Sequence, residues 1–347
     1  MAEKKADAVF EGGGVKGIGL VGALEVMEAA GYHWNMLAGT SAGAIVAALV
    51  AAGYTAAELK PILEQLDYSK FEDEGVVDRI PLFGPIASLF VEKGLYEGQF
   101  FEDWIRKLLA AKGVMNFGDL RAAPGSLYDH RLQVLVSDIT ESRILVVPSG
   151  LSHYGIDADS FDVAHGVRMS MSIPFFFEPI KDHDHYFVDG GLLSNFPVWL
   201  FDRQPPPGAA TEPAPRWPTF GFKLVEPGDG QPNKINSVVD FTRALVTTML
   251  ESHDKQHVEE DDFLRTVAIP TVGVSTTEFT LAPEKRDRLY ESGRQAATEF
   301  LATWDEEKYI RRARVPVSSK YKSERRKYRA RIQERSAQMI GSRAYLR

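Results

Sequence analysis

The 347-residue chain contains no cysteine. That removes disulfides, thiolate zinc sites and a cysteine nucleophile from consideration. Long apolar runs are also missing. The longest, Ala42–Gly53, falls short of the ~20 residues that cross a bilayer. No apolar stretch of the signal-peptide kind follows Met1-Ala-Glu-Lys-Lys5, so a cytoplasmic location is expected. Histidine is scarce, with eight in the chain. His253 and His257 alone have helical ligand spacing, and the glutamate of an H-E-x-x-H zinc motif is absent between them, so no metal is expected. No nucleic-acid module surrounds the basic residues, and no nucleic-acid partner is expected. A hydrophobic fraction of 44% with 25% charged residues belongs to a globular chain, long enough for one large α/β domain or two ordinary ones.

Charge is unevenly spread. The 40 Lys+Arg and 48 Asp+Glu give a net -8, but residues 308–347 hold 14 basic and 2 acidic side chains, hence +12, leaving -20 on residues 1–307. The expected organisation is therefore an acidic body over 1–307 and a basic tail over 308–347. The tail reads either as an electrostatic contact for anionic lipid or nucleic acid, or as a solvated or partly helical segment lying on the acidic body. Oligomeric state is not legible.

Along the body the pattern alternates between strands and helices. Asp7–Glu11 reads as a strand, Val15–Ala30 as a helix with Leu20, Leu24 and Met27 on one face, and Met36–Thr40 as a second strand. Ala42–Ala52 reads as a helix buried on every side, and Thr55-Ala-Ala-Glu58 as a capping box opening the next. Further helices are expected over Phe100–Ala111, Asp162–Met171, Ser237–His253 and Glu284–Trp304. Strands are expected over Leu132–Ser137, Arg143–Pro148, His185–Asp189, Phe220–Val225 and around Thr266–Gly273. This is the order of an α/β fold with a parallel sheet. The apolar, proline-interrupted Ile80–Phe90 reads either as a lid over an acyl site or as irregular core, and Pro205–Pro218 as a surface loop.

Three motifs carry chemistry. Gly39-Thr-Ser-Ala-Gly43 is a G-x-S-x-G turn between strand and helix. It places Ser41 either as an exposed nucleophile at a helix N-terminus or as a helix cap. Gly12-Gly-Gly-Val-Lys-Gly17 also joins a strand to a helix. A dinucleotide site would need an acid at the end of the next strand, and Tyr32–Ala38 offers none. A P-loop would need Ser or Thr after Lys16, where Gly17 stands. An oxyanion hole of unshielded backbone amides, or a plain glycine turn, remains. Asp189-Gly-Gly191 ends a strand. It reads either as a carboxylate aimed at the Ser41 edge of the sheet or as an Asp-Gly turn. His183 and His185 precede it on an expected hairpin. A serine–acid–histidine order is formally open through His253 or His257, but Ser41 follows a single earlier strand, unlike the serine of an α/β-hydrolase.

Together the three blocks resemble those of the patatin-like phospholipases. Gly12–Gly17 is similar to their glycine block, Gly39–Gly43 to their G-x-S-x-G and Asp189–Gly191 to their D-G-G/A. Arg168-Met-Ser-Met-Ser-Ile-Pro-Phe-Phe-Phe-Glu-Pro179 and Asn195-Phe-Pro197 extend the likeness. Met169 and Met171 stand where smaller residues are expected, a departure that touches packing more than chemistry. The resemblance implies a three-layer α/β/α fold with a central, mostly parallel sheet, and a lipid acyl hydrolase without cofactor. It also implies a Ser41 nucleophile, with Asp189 as the proton acceptor and an oxyanion hole within Gly12, Gly13, Gly14, Val15, Lys16 and Gly17. Gly39, Thr40, Ala42 and Gly43 would shape the elbow, and Gly190 and Gly191 the turn after the acid. The substrate would be a membrane phospholipid or another acyl ester. An acyltransferase using the same acyl-enzyme, or a non-catalytic lipid-binding protein, would share these features.

Overall fold

A computed structural model describes residues 4–64, 66, 94–124, 126–174, 177–202, 217–225, 235, 244, 248, 262, 264–274, 276, 278 and 281–313. By its internal contacts the chain divides into two units, Met1–Asp202 with Trp217–Asp305, and Arg203–Arg216 with Glu306–Arg347. Of the second unit, the described part is one helix, Glu306–Ala313, with acidic residues in its first turn. The expectations for Ile80–Phe90, for the tail beyond Ala313, and for His253 and His257 fall outside the described residues. So do most of those for Pro205–Pro218 and Ser237–His253.

The first unit is built on an eight-stranded sheet. Its strands are β1 (Lys4–Phe10), β2 (Tyr32–Thr40), β3 (Leu132–Asp138), β4 (Arg143–Val147), β5 (Ile180–Asp182), β6 (His185–Asp189), β7 (Thr219–Val225) and β8 (Thr266–Pro270). The hydrogen-bonded path runs β5-β6-β3-β2-β1-β7-β8, with β4 also on β3. The pairs β1–β2, β1–β7, β2–β3 and β7–β8 are parallel; β3–β4, β3–β6 and β5–β6 are antiparallel. All seven residues of β3 are buried, as expected of a strand covered on both faces.

Helices α1 (Gly17–Ala29), α2 (Ala42–Ala51), α3 (Ala56–Glu64), α4 (Gly94–Ala111), α5 (Val163–Ser170) and α6 (Pro283–Thr303) flank the sheet. All six contribute to the larger core cluster, together with Ala8, Phe10, Leu37, Val134, Val136, Phe220 and Phe222. The intervening strand residues Val9, Met36, Ala38 and Leu135 face the other way, against Leu200 and Phe201. The period of two along each strand therefore feeds two cores. α2 is buried at every position, as its uniformly small and apolar sequence requires. The α3 capping box forms as expected: Thr55 N–H donates to Glu58 Oε2 at 2.8 Å and Glu58 N–H to Thr55 Oγ1 at 3.3 Å.

One detail of register positions everything that follows. Leu135 pairs with Thr40 of β2 on one edge of β3 and with Val146 of β4 on the other. Val136 pairs with Asp189 of β6 and with Leu145 of β4. β4 thus takes one edge of β3, while β2 and β6 share the opposite edge. They approach each other head on, β2 ending at Thr40 and β6 at Asp189 one residue further along.

Candidate active site

The meeting of two strand ends brings Ser41 and Asp189 together although 148 positions separate them. Ser41 leaves β2 with φ 53 and ψ -126, a conformation that costs a non-glycine residue ~1–3 kcal/mol and is held by its surroundings. The elbow closes tightly because both flanking residues are glycines. A Cβ on Gly39 would lie 2.2 Å from Gly43 O, and one on Gly43 would lie 2.3 Å from Phe10 O. A side chain at either position would push α2 off the sheet. Ser41 occupies the position preceding α2 but makes no side-chain capping bond. The helix-cap alternative is thus not realised, and the hydroxyl is free of the helix.

Asp189 is fully buried. Its Oδ1 accepts from Gly191 N–H at 2.7 Å, so half of the carboxylate does serve the Asp-Gly turn. Oδ2 is buried and has no hydrogen-bond partner among the described residues. Burial pushes this carboxyl up to about 7, with the Gly191 N–H and the nearby Ser41 hydroxyl pulling it down. Ser41 is close enough to exert that pull, yet its hydroxyl makes its hydrogen bond to Met171 Sδ at 3.6 Å. The serine and the acid are adjacent rather than joined by a formed hydrogen bond.

The glycine block lies against the same spot. A Cβ on Gly12 would come 3.1 Å from Ser41 Cβ and 2.2 Å from Asn195 Oδ1. Asn195 laces the block to the segment after Asp189: Gly12 N–H donates to Asn195 O at 3.2 Å and Asn195 Nδ2 donates to Gly12 O at 3.1 Å. Thr40 Oγ1 adds a bond to Ser194 O at 3.2 Å. Several of the candidate donors are already engaged. Val15 N–H donates to Thr276 O, Lys16 N–H to Gly13 O and Gly17 N–H to Gly14 O. Among the described residues, the N–H groups left over in the block belong to Gly13 and Gly14. The Lys16 side chain is buried.

The C-terminal turn of α5 completes the site. The helix starts on Asp162, whose side chain accepts from His165 N–H at 2.8 Å. It ends by presenting Ser170, Met171 and Ser172. Ser41 N–H donates to Ser170 Oγ at 2.9 Å, and Ser170 Oγ donates to Leu135 O at 2.6 Å. That carbonyl sits in the notch between β2 and β6, where a Cβ on Gly190 would come within 2.2 Å of it. Asp189 N–H donates to Ser172 O at 2.9 Å. Arg168 Nη1 donates to Ser172 Oγ at 2.5 Å. One short segment therefore holds the backbone of both Ser41 and Asp189. The sequence showed this segment as part of a resemblance and gave it no role. Met171, expected to bear on packing more than chemistry, packs against the core with its sulfur 3.6 Å from the Ser41 hydroxyl.

The described histidines lie elsewhere. His183 and Asp184 form the two-residue turn of the β5–β6 hairpin with φ 46 and 62. His185 Nδ1 lies 2.9 Å from Asp138 Oδ2, and His130 and His153 bond to Asp159 and Glu141. Among the described residues no histidine bonds Ser41 or Asp189, and no group of three or more metal-ligating side chains occurs. No helix among them is long and apolar enough to cross a membrane.

Comparison with known proteins bears on the same region. The family model described as patatin-like phospholipase matches residues 8–202. The chain is 39% identical over 308 residues to uncharacterized protein YqhO of Bacillus subtilis, covering 86% of this chain and 98% of that one. It is 30% identical over 195 residues to lysophospholipase NTE1 of Eremothecium gossypii, covering 55% of this chain and 10% of that much longer protein. Among solved structures, VipD from Legionella pneumophila aligns over 87% of this chain and 67% of its own, with 18% identity and a TM-score of 0.48.

Proposed function

Because the chain belongs to the patatin-like phospholipase family, we propose that it is a lipid acyl hydrolase in which Ser41 is the nucleophile and Asp189 its base. The observation that carries this reading is the buried Asp189 Oδ2, without a hydrogen-bond partner among the described residues and beside a serine hydroxyl that is not spent on capping its helix. A carboxylate poised near pH 7 is suited to taking a proton and giving it back. The strained turn holds Ser41 Oγ out of its helix, and the N-terminus of α2 favours negative charge there.

In the first half-reaction the Ser41 hydroxyl turns from Met171 to Asp189, passes its proton to Oδ2, and its oxygen bonds to the ester carbonyl carbon. The negative charge that develops on the carbonyl oxygen is met by the free N–H groups of Gly13 and Gly14. Each such donor is worth roughly 3 kcal/mol in the transition state. Collapse of the tetrahedral intermediate breaks the ester C–O bond, and the departing alkoxide takes the proton from Asp189. An acyl-Ser41 ester remains. Water then repeats the sequence, its proton going to Asp189 and its oxygen to the acyl carbon, releasing a fatty acid and restoring Ser41. In this reading Asp189 takes the proton without a histidine, burial having raised it toward the working range.

A fluorophosphonate probe tests the nucleophile directly. The wild-type chain takes the label at Ser41, and Ser41→Ala takes none. A wild-type chain that resists labelling, or a Ser41→Ala variant that still labels, removes the reading.

A further inference from the structure

Ser41 faces two acceptors with very different chemistry: the carboxylate of Asp189 and the thioether of Met171. The thioether is a weak acceptor, so in the reduced protein it gives the hydroxyl up readily. It is also oxidisable. Met27, Met36 and Met169 are buried to 2% exposure or less, whereas Met171 is partly exposed at the end of α5, with its sulfur 3.6 Å from Ser41 Oγ. Met171 is thus more open to solvent than Ser41, which is 4% exposed, so a small peroxide meets the thioether first.

We propose that Met171 is a reversible oxidation site that switches the nucleophile off. The proposal rests on the Ser41–Asp189 reading above. In the step, the Met171 sulfur attacks one oxygen of a hydroperoxide. The O–O bond breaks, an S–O bond forms, the sulfur loses two electrons, and hydrogen peroxide leaves as water. The product is a sulfoxide, whose oxygen is a strong acceptor on a now polar side chain. It captures the Ser41 hydroxyl that the thioether held loosely and keeps the proton from Asp189. It also adds an atom where the substrate carbonyl must sit. Methionine sulfoxide reductases remove that oxygen, so the change is reversible.

Graded hydrogen peroxide treatment of the full chain tests this, with Met171 sulfoxide followed by peptide mass and Ser41 by its rate of fluorophosphonate labelling. Labelling of the wild type falls in step with Met171 conversion, by about tenfold or more at completion, and returns with sulfoxide reductases. Met171→Leu, which has no sulfur, keeps most of its own untreated rate through the same treatment. Met115, exposed at 43% and away from Ser41, is the control: Met115→Leu remains as sensitive as wild type. Three results overturn the switch alone: labelling that ignores Met171 sulfoxide, Met171→Leu losing label at the wild-type rate, and Met171 staying reduced while Met115 is fully converted. A wild-type chain that takes no label before treatment removes the nucleophile itself, and the switch with it. The wild-type correlation needs no variant, so the test survives a Met171→Leu protein that folds poorly.

Discussion

Two aspartates near the top of β3 are both closed to solvent, and their carboxyl groups are shifted in opposite directions. Asp138, the last residue of β3, has 0% exposure, as does Asp189, which ends β6 beside it. Asp138 accepts from Tyr154 Oη at 2.8 Å, from Thr140 N–H at 2.8 Å and from Glu141 N–H at 3.1 Å, and bonds His185 Nδ1 at 2.9 Å. Burial raises its pKa, but these hydrogen bonds outweigh it and hold the carboxyl below the ordinary range. Among the described residues Asp189 has one backbone N–H on Oδ1 and no partner on Oδ2, and burial wins. Asp189 is also the more deeply packed of the two, so loss of solvent presses harder on it than on Asp138. Fewer donors and deeper packing together leave the Asp189 carboxyl raised where that of Asp138 is lowered.

The sharpest way to break that comparison is to neutralise each in turn. Asp189→Asn lowers kcat/KM for ester cleavage by about a thousandfold without lowering thermal stability. Asp138→Ala abandons four partners, costs about 3 kcal/mol of stability in a denaturant titration, and retains most of its activity at low temperature. The two variants exchanging these phenotypes would show that the roles have been assigned the wrong way round.

Next in size is the dependence on pH. The proposed base must be ionised, so kcat/KM climbs about tenfold per pH unit at acid pH and levels off above about pH 7. Stability follows the same two groups with opposite signs. The raised Asp189 value gives a contribution fully present below its ordinary 3.8 and lost as pH rises through about 7. The lowered Asp138 value gives one present above 3.8 and lost as pH falls through its folded value. Urea titrations of wild type and Asp189→Asn should accordingly diverge with rising pH, the variant becoming relatively more stable. Parallel curves would mean that Asp189 titrates normally.

The smallest effect concerns the frame around the pair. Ser170→Ala removes the bridge from Ser41 N–H to Leu135 O. It should lower kcat about fivefold, roughly 1 kcal/mol, without moving KM or the pH midpoint. A change confined to KM would mean that Ser170 meets substrate instead.

Parts of this were legible without coordinates. The capping box at Thr55 and Glu58, the buried character of α2 and the strand His185–Asp189 follow from local pattern, because each depends on neighbours within a turn or a pleat. The three glycine-bearing motifs were legible for a related reason. Backbones that pass closer than a methyl group allows, as at Gly39, Gly43 and Gly190, admit no side chain, and that restriction is written into residue type. Ser170 and Met171 were visible only as part of a resemblance. Nothing in their composition says that one bridges β3 to the elbow and the other touches the hydroxyl.

The sequence by itself determined the order of elements, the candidate pair Ser41 and Asp189, and the glycines that let chain segments close around them. The tertiary structure alone decided, among the described residues, which N–H groups remain unengaged in the glycine block, which of two buried aspartates keeps an oxygen without a partner, and that a methionine sulfur lies against the serine hydroxyl. The reason is register. β2 and β6 meet end to end on one edge of β3, and the pairing of Thr40 with Leu135 and of Asp189 with Val136 is a long-range agreement among three strands. A one-residue slip in any of them would turn the same side chains to the opposite face of the sheet.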